Sequence, residues 1–254
     1  MKSQKTKKIE DRHRTDSDRK GWLKILEIFI RRFRTISFLV ILLPIILLCL
    51  LVIGLALAPA IALVVSVQPF ANHFGVVGYS LVLGITIAIS FFVFGISLIF
   101  TAPLANFILP FRVKPWRGNW RSTEVIPWYI HNALVYIVRY LFLDFITPSP
   151  LTNMFYKLMG MKIGKGVVIN TTNISDPCLI EIDDYVTIGG SVHILAHYGQ
   201  KGYLILAPVK IGRGANIGLK ASIMGDVIIG SEATVKPHAV VLPKTRIEDG
   251  EIYG

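Results

Sequence analysis

Aliphatic residues recur at every sixth position along the last quarter of the chain. The unbroken run consists of Ile211, Ile217, Ile223, Ile229, Val235, Val241 and Ile247. A six-residue period matches neither the 3.6-residue repeat of an α-helix nor the two-residue alternation of a strand. It is typical of a parallel β-helix built from six-residue repeats. The pattern therefore predicts a solenoid whose aliphatic side chains point into a narrow core.

The same step appears upstream in two shorter blocks, within residues 163–169 and 182–194. Two interruptions break the rhythm, at residues 174–181 and 197–208, and the second begins with a histidine. Insertions between the repeats of a solenoid leave the coil as loops, and such loops often carry function. We therefore expect the chemistry at an interruption and the scaffold in the unbroken repeats.

Two long stretches without a charged residue precede the solenoid, at residues 36–67 and 76–109. Each exceeds the roughly 20 apolar residues that cross the hydrocarbon core of a bilayer. A buried helix of a small soluble domain would be shorter. The sequence therefore predicts a two-span transmembrane hairpin within residues 35–110. The fold class is an α-helical membrane hairpin followed by a parallel β-helix.

The net charge of +11 lies mostly outside the solenoid. Residues 1–34 carry a net charge of +7 and residues 111–162 carry +5, whereas residues 163–254 carry −1. Basic flanks stay in the cytoplasm, so both termini are expected there, and the uncharged linker 68–75, apart from His73, is expected outside. A near-neutral solenoid argues against nucleic acid as a partner. The basic tail 1–34 favours anionic membrane lipid instead.

Residues 111–162 are predicted to form a basic, aromatic linker at the membrane interface. Its segment 125–146 combines aromatic residues with His131, Arg139 and Asp144. Interfacial aromatics indicate a helix at the headgroup level, with the polar side chains as anchors. Two alternatives remain open. In the first, the segment crosses the membrane as a third span, which would put the solenoid outside. In the second, its three ionisable residues line a substrate groove.

The repeats carry the motifs of a known family. They are Ile163-Gly-Lys-Gly, Ile182-Asp-Asp, Ile211-Gly-Arg-Gly-Ala-Asn-Ile-Gly and Ile229-Gly-Ser-Glu-Ala. In these motifs, residues 160–254 resemble the left-handed β-helix acyltransferases of the hexapeptide-repeat group. The resemblance implies a left-handed solenoid of about five coils over residues 163–254. It also implies a homo-oligomer, a trimer being favoured over a dimer, with the active site between subunits.

The second interruption is similar to that of a membrane-linked subfamily, which includes the C-terminal domains of poly-lysine synthase-like peptide synthetases. The resemblance implies that His197 is the general base, with His193 as a second candidate. An imidazole suits the task because its ordinary pKa lies near 6.5. The substrate loop would include Tyr198, Gln200, Lys201 and Tyr203. The subfamily has an aromatic–acidic pair after the histidine, and this chain has Tyr-Gly-Gln-Lys there.

The same resemblance implies acyl-CoA as the co-substrate, with acetyl-CoA as the first choice. Its pantetheine arm would pass small residues, and its phosphates would contact basic side chains. The positions that match are Gly218, Lys220, Ala221, Ser222, Lys236, Ala239, Lys244 and Arg246. Members of the group continue past the last coil with a capping segment. We therefore expect further residues or a neighbouring subunit to cover the end at Gly254.

These features together predict a membrane-anchored acyltransferase, with transfer to oxygen or nitrogen. Its acceptor would be a lipid-linked saccharide or another envelope or secondary-metabolite precursor, at the cytoplasmic face of a bacterial inner membrane. One alternative is a non-catalytic oligomeric scaffold. Another is a metal-dependent enzyme like the β-helix carbonic anhydrases, but the spacing of His193, His197 and His238 does not match that pattern, so no metal is expected. Cys49 and Cys178 indicate no disulfide framework.

Overall fold

The computed structural model describes residues 16–17 and 20–254, so residues 1–15 and 18–19 of the predicted basic tail lie outside the described residues. The first helices are α1 (Trp22–Arg32), α2 (Arg34–Ala71) and α3 (Val76–Ile108). α2 and α3 pack side by side as a hairpin. Large apolar side chains are exposed along the length of both, as in helices whose outer surface faces lipid.

Three helical segments are long and apolar enough to cross a membrane. They are Thr35–Ala71, Val76–Ile108 and Thr123–Ile146. The first two coincide with the predicted hairpin. The third coincides with the segment whose role the sequence left open.

The linker after α3 contains one strand and a broken helix that packs against α3. Its elements are β1 (Trp116–Asn119), a 3₁₀ turn (Thr123–Val125), α4 (Ile126–Val138), a π-helical turn (Arg139–Leu143), α5 (Asp144–Ile146) and α6 (Pro150–Leu158). The segment from α4 to α5 runs antiparallel to α3, because His131 contacts Asn106 while Phe142 packs on Gly95. A Cβ atom at Gly95 would lie 2.0 Å from the Phe142 ring, so glycine makes this close approach feasible.

The solenoid has three parallel sheets, which form the faces of a triangular prism. The first face contains β2 (Lys162–Ile163), β5 (Ile180–Ile182), β10 (Val209–Ile211), β13 (Val227–Ile229) and β16 (Arg246–Ile247). The second contains β3 (Val168–Ile169), β6 (Thr187–Ile188), β11 (Asn216–Ile217), β14 (Thr234–Val235) and β17 (Ile252–Tyr253). The third contains β4 (Ile174–Ser175), β7 (His193–Leu195), β12 (Ser222–Ile223) and β15 (Val240–Val241).

The six-residue aliphatics line the core, as the period predicts. All seven residues from Ile211 to Ile247 are at most 3% exposed, and Ile188 and Ile194 are fully buried. The described chain thus confirms a left-handed parallel β-helix of about five coils after a helical N-terminal region. α6 closes the first coil with Phe155 and Tyr156, both fully buried.

Many of the core aliphatics are followed by glycine because successive coils approach closely at the corners of the prism. A Cβ atom at Gly218 would lie 2.5 Å from the backbone nitrogen of Pro237 in the next coil. Many corners also contain one residue with left-handed backbone, for example Lys220 at φ 57°, Glu232 at 56° and His238 at 62°. Non-glycine residues adopt this region at a cost of roughly 1–2 kcal/mol, so the stacked coils must stabilise it.

The second interruption is a β-hairpin, not an irregular loop. β8 (His197–Gln200) and β9 (Tyr203–Leu206) pair antiparallel, and β1 of the linker adds to β9 with Trp116 opposite Leu206. This three-stranded sheet joins the linker to the solenoid. The first interruption becomes a 3₁₀ turn (Pro177–Leu179) directly after Asp176.

Candidate active site

A histidine and an aspartate meet at the corner between the third and first faces. His197 follows β7 in the second coil, and Asp176 follows β4 in the coil below. The imidazole Nδ1 of His197 lies 2.6 Å from Oδ2 of Asp176. Each interruption of the repeat therefore supplies one member of a pair.

Asp176 is fully buried and its carboxylate is enclosed by hydrogen-bond donors. Its Oδ1 accepts from the indole Nε1 of Trp128 at 2.6 Å and from Nδ2 of Asn132 at 2.7 Å. Its backbone N–H donates to Oδ1 of Asn132 at 3.1 Å. A buried carboxylate is tolerated only when it is hydrogen-bonded in this way. Helix α4 therefore fixes the position of the carboxylate.

The pairing with Asp176 sets the tautomer of His197. Because Nδ1–H donates to the carboxylate, the neutral ring carries its lone pair on Nε2. Within the described residues no hydrogen bond to Nε2 is found. The side chain is 19% exposed, and its ring packs edge-on against Trp128 at a centroid distance of 5.0 Å. An oriented imidazole with a free basic nitrogen is suited to general base chemistry.

Aromatic rings connect this pair to the helical hairpin of α2 and α3. Trp128 contacts Tyr129 at 5.0 Å and Trp120 at 6.3 Å between ring centroids. Tyr129 in turn contacts Phe38, near the start of α2, at 6.4 Å. Phe38 follows the basic flank of the first apolar helix, so the pair lies at the level of that end of the hairpin.

A groove of about 350 Å³ lies beside the hairpin that His197 begins. It is lined by Tyr198, Gly199, Gln200, Met224, Leu242, Pro243 and Lys244. The groove brings two predicted loop residues, Tyr198 and Gln200, together with one predicted cofactor residue, Lys244. These side chains come from the second, third and fourth coils.

The other predicted loop residues lie away from this groove. Lys201 is exposed at the hairpin turn with φ 51°. The Tyr203 ring lies beneath the guanidinium of Arg117, 5.3 Å from its centroid.

His193, the second candidate base, is exposed on the third face, in register with Ser222. Within the described chain it makes no side-chain contact with His197.

The remaining predicted cofactor residues divide between two regions. Five of them lie at the corner between the second and third faces, and Ser222 follows that corner as the first residue of β12; the five are Gly218, Lys220, Ala221, Lys236 and Ala239. Ala221 is fully buried, so its methyl group faces the core rather than a ligand. Arg246 lies on the first face and forms an ion pair with Asp226 at 2.7 Å.

A row of polar contacts continues from Asp176 along the third apolar segment. The Tyr136 hydroxyl lies 2.8 Å from that of Ser175. Further along, Arg139 contacts Asn173 and Asp144 contacts Thr172, beside a polar cavity of about 320 Å³. One side of the segment therefore packs against the solenoid while another packs against α3.

Cys178 lies two residues from Asp176, but its thiol is not set up as a nucleophile. Burial, and secondarily the Asp176 carboxylate, raise the pKa of Cys178 to about 12. A thiol is nucleophilic only as the thiolate, so this one is inert at neutral pH. The described residues also contain no group of three histidine, cysteine or acidic side chains arranged to bind a metal.

The sequence did not identify Asp176, Trp128 and Asn132 as members of the site. Its one signal was the break in the repeat around Asp176-Pro177. Nothing in the pattern linked that break to a helix more than 40 residues upstream, because the contacts form only when α4 packs on the first coil.

Comparisons with known proteins give one related sequence and several similar folds. No protein-family profile matches the chain. A curated protein of Acinetobacter baumannii, delta-poly-L-ornithine synthetase, is 28% identical over 108 residues. These residues are 42% of this chain and only 8% of that much longer protein.

Among solved structures, a serine acetyltransferase of Neisseria gonorrhoeae matches at 22% identity and a TM-score of 0.29. That match covers 50% of this chain and 48% of the other. Serine acetyltransferase 1 of Entamoeba histolytica, in complex with L-cysteine, matches at 14% identity and a TM-score of 0.29, over 76% of this chain and 74% of the other. With TM-scores this low, neither match carries an argument about function.

Proposed function

We propose that the chain is a membrane-anchored acyltransferase that uses acyl-CoA, with acetyl-CoA as the first choice. The observation that carries this proposal is the contact of His197 with Asp176, which leaves Nε2 of the imidazole as a base. The acceptor would be a hydroxyl or an amine on a lipid-linked saccharide or another envelope or secondary-metabolite precursor.

In the proposed reaction, Nε2 of His197 takes the proton from the acceptor O–H or N–H as that atom attacks the thioester carbonyl. The C–S bond then breaks, and the imidazolium returns the proton to the departing CoA thiolate. Asp176 keeps the ring in the required tautomer and stabilises the imidazolium, as the aspartate of a Ser-His-Asp triad does. His197 is thus the catalytic residue and Asp176 a positioning residue.

The groove beside the hairpin is the proposed path of the acyl-CoA. Lys244 supplies a cation for a phosphate, while Met224 and Leu242 offer an apolar wall for the pantetheine arm. Lys220 and Lys236, at another corner of the prism, fit this path less well. His193 remains a candidate for orienting the acceptor on the third face. We further propose a homo-oligomer, with a trimer favoured, as the assembled form.

A membrane-bound acceptor is supported by the row of ring contacts from His197 through Trp128 and Tyr129 to Phe38. Phe38 belongs to an apolar helix long enough to span a bilayer, near its basic end. By the positive-inside rule that end is cytoplasmic, where CoA thioesters are available. The base would then act close to the headgroups of the cytoplasmic leaflet.

Of the two acceptor groups, the likeness to delta-poly-L-ornithine synthetase favours the amine, whose acylation forms an amide. His197 would then take a proton from the nitrogen of the neutral amine, instead of from a hydroxyl, as that nitrogen attacks the thioester. The non-catalytic scaffold is the remaining alternative, and it makes no use of Nε2.

The test uses purified full-length protein, radiolabelled acetyl-CoA and a lipid extract of the source membrane as acceptor. We expect label in the organic phase with the wild type, and a loss of at least about 100-fold for His197→Ala, because general base catalysis contributes about that much or more. His238→Asn is the matched control, since asparagine tolerates the left-handed backbone at this exposed corner. Equal labelling by His197→Ala and the wild type would exclude His197 as the base. An unchanged cellular phenotype for that variant would favour the scaffold.

A further inference from the structure

A cavity of about 840 Å³ lies where helix α6 meets the first coil, at the corner between the first and second faces. Its walls are mostly apolar. They are formed by Pro148, Ser149, Pro150, Met154 and Lys157 on one side and by residues 163–169 on the other, with Asn153 between them. The volume is within the range of small-molecule sites, which is about 300–1,000 Å³.

The charged side chains that line this cavity have one sign, while the Asp184 carboxylate lies behind its wall, where it accepts a hydrogen bond from the backbone N–H of Lys165 at 2.6 Å. Lys157 and Lys165 are its charged lining residues, and no acidic side chain lines it. Both lysines are exposed, so their ammonium groups are available to a ligand. Apolar walls with lysines at the mouth match an amphiphile whose polar end is anionic.

The elements that form the cavity also expose apolar and aromatic side chains. Leu151 and Leu158 of α6 and Val168 of β3 are 37%, 46% and 48% exposed. Tyr185, above Gly166 in the next coil, is 57% exposed. Tyrosine is enriched at the headgroup level of membranes, where one end of the ring is apolar and the other is wet. α6 also packs against α3, an apolar helix long enough to span a bilayer.

The cavity is built into the fold, not left by a mobile side chain. The Asn153 amide donates to the carbonyl of Val167 at 3.0 Å, which fixes α6 against the first coil. The coil turns beneath the cavity at Gly166, with φ 66°, where a Cβ atom would lie 2.7 Å from the Tyr185 ring. The walls are thus defined before any ligand enters, which reduces the cost of binding.

We propose that this cavity binds one anionic phospholipid, with its phosphate between Lys157 and Lys165 and an acyl chain along the apolar wall. The site is separate from the His197–Asp176 pair, which lies at another corner of the prism. The bound lipid would attach the first coil to the bilayer surface. This proposal depends on membrane association and not on acyl transfer, so the two can fail independently.

The test measures lipid retained by the purified full-length protein, by native mass spectrometry after addition of phosphatidylglycerol or phosphatidylcholine. We expect the wild type to retain one phosphatidylglycerol in preference to phosphatidylcholine. The double variant Lys157→Gln/Lys165→Gln should bind phosphatidylglycerol about tenfold more weakly, or about 1.4 kcal/mol. The matched control is Lys162→Gln/Lys210→Gln, which removes equal charge from lysines that contact Glu181 outside the cavity. It should bind as the wild type does.

A second variant tests the apolar wall without changing charge. Val168→Trp should fill the cavity and reduce retention of phosphatidylglycerol, while circular dichroism shows an intact solenoid, since Val168 points outward from β3. Equal retention of both lipids by the wild type would overturn the proposal. So would wild-type affinity in the double lysine variant. Displacement of the lipid by inorganic phosphate at millimolar concentration would identify a phosphate site instead of a lipid site.

Discussion

Asp176 illustrates how a single buried carboxylate can define a site. It is fully buried, has a left-handed backbone with φ 59°, and is enclosed by donors from Trp128, Asn132 and His197. Strained, buried and polar residues are costly, and they persist where the surrounding structure requires them. Here the buried, strained carboxylate orients one imidazole through its Nδ1 atom, and the Nε2 atom of that imidazole remains free for chemistry.

The substitution Asp176→Asn tests the positioning role directly. The Oδ1 atom of asparagine can still accept the hydrogen bonds from Trp128 and Asn132, and asparagine tolerates left-handed backbone. Its NH₂ group would replace Oδ2 and favour the wrong tautomer of His197, so we expect kcat to fall by about 10³–10⁴ with little change in KM for acyl-CoA. Steady-state kinetics on the folded variant provide the measurement. A parallel loss of folding, or a change in KM alone, would point to a merely structural aspartate.

Among the elements, helix α4 makes two sets of contacts, and its sequence does not show which residues belong to which set. Its apolar residues pack against the hairpin. On its other side Trp128 and Asn132 contact Asp176, and Tyr136 contacts Ser175 at the end of β4. The sequence correctly marked the segment as aromatic and polar, but its partners were unpredictable, because they lie about 40 residues away and make no periodic pattern. β1 was missed for the same reason, since Trp116–Asn119 becomes a strand only by pairing with β9.

Trp128→Phe tests the contact of this helix with the solenoid. The variant keeps the ring against His197 but removes the N–H donor to a buried carboxylate, which costs about 1.5–3 kcal/mol. We expect the unfolding temperature to fall by roughly 3–12 °C, at about 2–4 °C per kcal/mol for a chain of this size. Thermal unfolding in detergent, followed by circular dichroism, provides the measurement. Trp120→Phe, in the same aromatic cluster, is the control and should change the temperature far less. Equal shifts in the two variants would contradict the assigned role of the indole N–H.

At the scale of the whole molecule, regular periods were predictable and their junctions were not. The six-residue step identified the solenoid and its core, and two uncharged stretches identified the helical hairpin, because both signals repeat many times. The candidate site lies where the repeat breaks, and of the His197–Asp176 pair the sequence predicted only His197. Its partner depends on how the linker packs between hairpin and solenoid, a tertiary contact that no local pattern specifies.

This arrangement places the proposed base beside the basic end of the helical hairpin, which we propose to be the membrane anchor. Sealed vesicles of opposite orientation test that account, since acetyl-CoA does not cross a bilayer. Radiolabelled acetyl-CoA is added outside inside-out and right-side-out vesicles that contain the wild type or His197→Ala. We predict lipid labelling only in inside-out vesicles with an intact His197. Labelling in right-side-out vesicles, or undiminished labelling by the His197→Ala protein, would contradict the account.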